Sequence, residues 1–221
     1  MDMSEYLELL LAGDDEACLA AARSQAGDLD GLHRLYVELI EPSQYRVGEL
    51  WESGRISVAA EHLATAVNSY VASSCYASLA DPNPGGPRAI ITCTPGELHE
   101  LGPRMFADLL ECDGWDVDFH GTTTSVSHLI DTICERTPRF VGLSTALLMH
   151  LDDAAAMIAS IRAALGDQAP PIVVGGNAYR GAADLWRQVG ADFYAVDASA
   201  AVAVLRPLKG HEHRTPKQGV G

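Results

Sequence analysis

The residues best suited to chemistry are gathered in one short stretch, Glu97-Leu98-His99-Glu100-Leu101-Gly102. A histidine can ligate a metal through one ring nitrogen when the other donates to a carboxylate that fixes its tautomer and orientation. Glu97, two residues before His99, has the chemistry of that partner. One histidine supplies one ligand, so a bare ion would be poorly held and the other ligands must arrive with a cofactor. A macrocyclic metal complex meets that need. Gly102 lets a helix lie close to a passing group, and Gly175-Gly176 lets backbone approach a flat or extended molecule with no Cβ in the way.

Two kinds of architecture must position these groups. Through residues 4–80 apolar residues recur at spacings of three and four, as in LELLLAG, LDGLHRLYVELI and VAAEHLATAVNSYVASSCYASLA, which is helical periodicity. Breaks at Gly13-Asp14-Asp15, Gly27-Asp28, Glu41-Pro42-Ser43 and Glu52-Ser53-Gly54 divide it into about four or five helices, the last starting at Ser57. The segment 81–87, with three prolines and two glycines, cannot continue a helix and reads as a linker between domains. Beyond it, the β-rich runs RAIITCT, WDVDFHG, RFVGLST, PIVVGG and DFYAV alternate with amphipathic helices near 101–112, 127–135, 152–165, 182–189 and 198–205. That alternation gives an α/β domain over 88–208, a five-stranded parallel flavodoxin-like or Rossmann-like sheet with helices on both faces, behind an N-terminal helical bundle over 1–80. Residues 209–221 read as a polar, mobile tail whose two histidines belong to a loose surface segment. In such a sheet ligands bind outside the carboxyl ends of the strands, where strand order reverses. The loops after the first, third and fourth strands carry Glu97, His99 and Gly102, then Ser144, then Gly175 and Gly176.

Composition narrows the function. Of 221 residues, 48% are hydrophobic and 20% charged, the balance of an ordinary globular protein. Thirty acidic against fifteen basic residues give a net charge of -15, which removes a general attraction to nucleic-acid backbones. Five widely spaced cysteines with no Cys-x-x-Cys pair suit free thiols in a reducing cytosol, and neither an export signal nor a transmembrane run is visible. A cytoplasmic protein is expected. His120, His128 and His150 fall near strand-to-helix loops and are expected at the surface, and His33 on a helix face.

Glu97-x-His99-x-x-Gly102, followed by Ser144-x-Ala146-Leu147 and by Gly175-Gly176, resembles the cobalamin-binding fingerprint across the second half of the chain. The resemblance implies that His99 replaces the cofactor's own dimethylbenzimidazole as lower cobalt ligand, that Ser144 meets the displaced base, and that Gly175 and Gly176 pass the nucleotide tail. Trp51, with nine residues between it and Glu61-His62, is similar to the signature of light-sensing cobalamin-dependent regulators, in which these side chains surround the upper axial group. Taken singly, Trp51 would be core packing, Glu61-His62 a complement to the helix dipole, and the serine and glycines ordinary turn residues. Their joint spacing carries the resemblance. It departs at Glu52, where photoreceptors of this kind carry a cobalt-binding histidine, at Ala146, and in a longer gap before Gly175. No basic helix-turn-helix segment precedes the bundle, so a regulator of this form is expected to act through a protein partner or self-association.

The leading expectation is a non-enzymatic, light-responsive sensor holding an alkylcobalamin, such as adenosylcobalamin, between the two domains. One alternative keeps the pocket and exchanges the pigment for a linear tetrapyrrole such as biliverdin. Another is a corrinoid protein that carries methyl groups for methyltransferases. An unrelated phosphate or nucleotide binder is disfavoured because the first loop lacks a Gly-x-Gly-x-x-Gly cradle.

Overall fold

The computed structural model describes residues 1–80, 85–122, 124–181, 184–198, 200–201 and 205. The N-terminal part is helical: α1 Met3–Ala12, α2 Asp15–Arg23, α3 Leu29–Arg34, a π-helical segment Leu35–Ile40, α4 Glu41–Glu52 and α5 Val58–Tyr76. Local chemistry starts each rod. Asp2 accepts from the Ser4 and Glu5 amides in a capping box, Asp14 and Asp28 cap α2 and α3, and Ser57 caps α5.

The expected break at Glu41-Pro42-Ser43 is absent, because helix runs without interruption from Leu29 to Glu52. Its cause is the π turn. There the Glu41 amide reaches back five residues to the Tyr36 carbonyl, so the ladder is already changing register where Pro42 lacks a donor.

Five parallel strands follow in the order β2-β1-β3-β4-β5: β1 Arg88–Cys93, β2 Asp116–Gly121, β3 Phe140–Ser144, β4 Ile172–Gly175 and β5 Phe193–Tyr194. This is the flavodoxin-like α/β sheet, and its order reverses between β1 and β3. Helices α6 Leu101–Cys112, α7 Val126–Arg136, α8 Leu151–Leu165 and the short α9 Leu185–Gln188 connect the strands. Residues 182–183 of the expected 182–189 helix, residues 199 and 202–204 of the expected 198–205 helix, 81–84 of the linker and the tail lie outside the described residues.

Helix α6 joins the two halves. Its Met105 and Leu109 are buried in the core of the helical part with Tyr6, Leu10, Tyr36, Ile40 and Val71, while its Ala107 and Leu110 pack under the sheet. The Tyr36 hydroxyl donates to Asp108 Oδ2 at 2.9 Å, and the Tyr76 hydroxyl donates to Glu111. Burial outweighs the Tyr36 bond and pushes the Asp108 carboxyl up to about 6. All five cysteines are free, and no helix among the described residues is long and apolar enough to cross a membrane.

Candidate functional site

Strand β1 ends against β3, with the Thr94 amide donating to the Ser144 carbonyl at 2.9 Å, and the chain then turns outward through Gly96. This turn directs Glu97 inward. The side chain is 0% exposed, and Oε2 accepts from the Ala146 and Leu147 amides of the β3 loop at 2.8 and 3.1 Å. Oε1 accepts from the Leu98 and His99 amides at 3.0 and 3.2 Å and from His99 Nδ1. Burial alone would raise the Glu97 carboxyl, but the His99 ring and the backbone donors overcome it and hold the group down to about 2.

The same bond defines His99. With Nδ1–H given to Glu97, Nε2 carries the lone pair. The side chain is 60% exposed, and Nε2 has no hydrogen-bond partner among the described residues. The bond to Glu97 raises the His99 pKa against an opposing effect of burial, and the charge of Glu61 adds to the rise. That last effect crosses the molecule: Glu61 belongs to the helical cap and His99 to the β1 loop.

On the cap, Glu61 and His62 open α5 and bond to each other through His62 Nδ1. Glu61 Oε1 also accepts from Thr65, whose hydroxyl accepts from Gln44 at 2.6 Å; Gln44 in turn accepts from buried Asn68, and Asn68 accepts from the Tyr6 hydroxyl. A chain of polar contacts thus runs from Tyr6 in the cap core to Glu61 at the start of α5. Trp51 occupies the last turn of α4 and is 47% exposed. Around the crevice, Leu98, Leu147, Leu148 and Met149 also stand exposed on the β1 and β3 loops.

Beside the crevice lies a cavity of about 120 Å³ whose lining includes Gly102, Phe106, Ser144, Gly175 and Gly176, with Glu41 and Tyr45 from the cap. Two glycines shape it. A Cβ on Gly102 would meet nothing within 4 Å, leaving open room at the start of α6, whereas Gly176 has φ 106° and a Cβ there would fall 2.3 Å from the Thr145 carbonyl oxygen. The structure therefore brings together Glu97 and His99 in one loop, and Gly102, Ser144, Gly175 and Gly176 around one cavity.

Several contributors escaped the sequence reading. His150, expected at the surface, is only 14% exposed; its ring Cε1 lies 3.1 Å from where a Gly96 Cβ would stand, so it wedges the β1 loop. His120 is likewise half-buried and stacks on exposed His128 with ring centroids 5.9 Å apart. Under the switch point, buried Thr94, Thr145 and Tyr179 share hydroxyl contacts of 2.7 and 3.1 Å. Glu41 and Tyr45 carried no local signal, because their partner Arg180 is distant in sequence.

A lone, tautomer-fixed histidine fits a metal that brings its own equatorial ligands, and a neighbouring cavity with a glycine-lined entrance fits an appended tail. Fold and donor set are those suited to a module that holds a macrocyclic metal cofactor. Residues 87–204 match a family model described as B12 binding domain, and residues 3–72 match a second model of the same description. The chain belongs to the B12-binding family and is a cobalamin- or corrinoid-binding protein. It is 31% identical over 72% of its length to the HTH-type transcriptional repressor CarA of Myxococcus xanthus, and 32% identical over 66% to CarH of the same organism. It covers 54% and 48% of those proteins, about half of each. It is also 25% identical to dimethylamine corrinoid protein 1 of Methanosarcina acetivorans, covering 93% of this chain and 96% of that one. Among solved structures, the monomethylamine corrinoid protein of Methanosarcina barkeri shares the fold with a TM-score of 0.77 and 13% identity, covering 91% of this chain and 95% of that one.

Proposed function

We propose that this chain is a cobalamin-binding sensor that holds the corrinoid between helical cap and sheet domain and signals through a protein partner or self-association. The observation that carries it is the exposed His99 imidazole, locked through Nδ1 to fully buried Glu97 at the carboxyl end of β1, with no hydrogen-bond partner for Nε2 among the described residues. Resemblance of Trp51, Glu61 and His62 to the light-sensing signature, and 31–32% identity to two transcriptional repressors, favour a regulatory output.

Each residue has a distinct task in this reading. His99 would offer Nε2 to cobalt, and Glu97, by accepting from Nδ1–H, fixes the tautomer that leaves the lone pair on Nε2 and strengthens its basicity. Gly102, Ser144, Gly175 and Gly176 admit the nucleotide tail. Trp51 shields the upper face, while Glu61 and His62 provide polar contacts to the axial group. When bound, an alkylcorrinoid supplies a cobalt–carbon bond that light can cleave. Were that bond lost, Trp51 and the Glu61-His62 pair would lose their contacts and the cap would repack, a two-state bias of the kind used by cofactor switches.

A second reading, a methyl-carrying corrinoid protein, is favoured by the nearly end-to-end alignment with the dimethylamine corrinoid protein. The family assignment favours a corrinoid over biliverdin in either case. Absorption spectra of the methylcobalamin- and adenosylcobalamin-loaded protein, dark and illuminated, with the sedimentation coefficient followed in parallel, test the sensor. A light-dependent change in association state supports it. Photolysis with no change in association or partner binding, together with methyl transfer to a corrinoid methyltransferase, would favour the carrier.

A further inference from the structure

The cap and the β4 loop are tied at one charged point. Arg180 follows the short turn Asn177–Tyr179, just beyond Gly175-Gly176. Its guanidinium donates to Glu41 Oε1 and lies over the Tyr45 ring with Cζ 4.3 Å from the centroid. Among the described residues this is the only ion pair between the cap and the sheet domain. Glu41 and Tyr45 stand one turn apart at the start of α4, and both line the cavity beside Ser144 and Gly176. Arg180 itself does not line the cavity; it pins two of the lining residues, Glu41 and Tyr45, to the chain just beyond Gly176. The Glu41 side chain is 17% exposed and Arg180 38%, which shields the pair from water more than an ordinary surface ion pair. Tyr194 and Asp197 also lie within charge range of Arg180 or Glu41.

We propose that Glu41, Tyr45 and Arg180 form a latch over the nucleotide cavity, and that this latch makes the protein retain corrinoids with a nucleotide tail in preference to tail-less ones. The inference rests on the corrinoid reading above and adds a selectivity to it. A tail reaching past Gly176 into the cavity would lie against the wall that Glu41 and Tyr45 form and Arg180 holds shut. Its exit requires the guanidinium to leave both carboxylate and ring. A corrinoid without a tail meets His99 but never passes the latch, so its release is indifferent to the bridge. Planar stacking and a fork of donors suit arginine here, and lysine would supply only the charge.

Dark dissociation rates of methylcobalamin and methylcobinamide, which share the upper ligand and differ in the tail, provide the test. Arg180→Ala is expected to speed methylcobalamin release about tenfold, as loss of one member of a shielded charge pair does, and to leave methylcobinamide release unchanged. The exchanged pair Glu41→Arg with Arg180→Glu is expected to recover much of the slow release, and guards against misfolding of the single variant. Equal acceleration for both ligands, or no acceleration for methylcobalamin, overturns the latch. If the unaltered protein binds neither ligand, the corrinoid reading itself falls.

Discussion

The candidate residues of the sheet domain and those of the cap are held differently. On the sheet side Glu97 is wholly buried and fixed by four backbone amides and an imidazole, with buried threonines beneath it. On the cap side Trp51 is half in solvent, and His62 is 75% exposed with its bond to Glu61. A preorganised lower face loses little freedom when a ligand arrives, whereas a loosely held upper face can change its packing with the axial group. In the proposed sensor, this contrast would give permanence to the sheet side and response to the cap side.

The largest effect is expected where the rigid face is broken. Glu97→Ala leaves buried amides of two loops without an acceptor and should cost about 3 kcal/mol or more in urea unfolding. The pH dependence has a defined sign. Because the Glu97 carboxyl is held at about 2 against an ordinary 4.5, its stabilisation is complete above 4.5 and disappears as pH falls through 2. That swing amounts to about 3 kcal/mol, and Glu97→Gln should abolish it. A comparable loss with Glu61→Ala would erase the distinction between the faces.

Asp108, at the junction of cap and sheet, runs in the opposite direction. Its carboxyl rises from 3.8 to about 6 in the fold, so the native state holds its proton more tightly and stability falls as pH climbs through that interval. The decline from this one group is about 3 kcal/mol, and it is complete above pH 6. Asp108→Asn should flatten the urea midpoint over that window, while a persistent decline would locate the titration elsewhere.

Smaller effects should separate binding from folding. Gly102→Ala adds a methyl group to open space in a helix and should leave stability unchanged or raise it by up to about 0.5 kcal/mol, yet weaken corrinoid binding in titration. Trp51→Ala should change stability by less than about 1 kcal/mol, given its exposure, and alter the quantum yield of photolysis. Unchanged binding in the first case, or an unchanged yield in the second, would remove that residue from the site.

Much of this design is legible in the chain. The alternation of β-rich runs with amphipathic segments gives the parallel sheet, and Ser57 before an apolar helix marks the start of α5. Glu97 and His99 are two residues apart, so their bond is local and readable from spacing. What spacing cannot show is contact between distant segments. The Arg180–Glu41 pair spans 139 residues and the Tyr36–Asp108 bond 72, and nothing near either residue announces the other. Pro42 misleads for a related reason: its helix-breaking tendency is local, whereas the π turn that accommodates it is held by burial of Leu35, Tyr36, Leu39 and Ile40. His150 is similar, since its burial comes from the fit of the β1 loop around it.

The decisive measurement is the electron paramagnetic resonance spectrum of the protein loaded with cob(II)alamin, recorded with unlabelled and with ¹⁵N-histidine-labelled protein. If His99 Nε2 is the axial ligand, the nitrogen splitting of the cobalt lines is a triplet in the unlabelled protein, becomes a doublet on labelling, and vanishes in His99→Ala. A triplet that persists in the labelled protein would mean that cobalt keeps the cofactor's own base, and that the Glu97-locked imidazole is not its ligand.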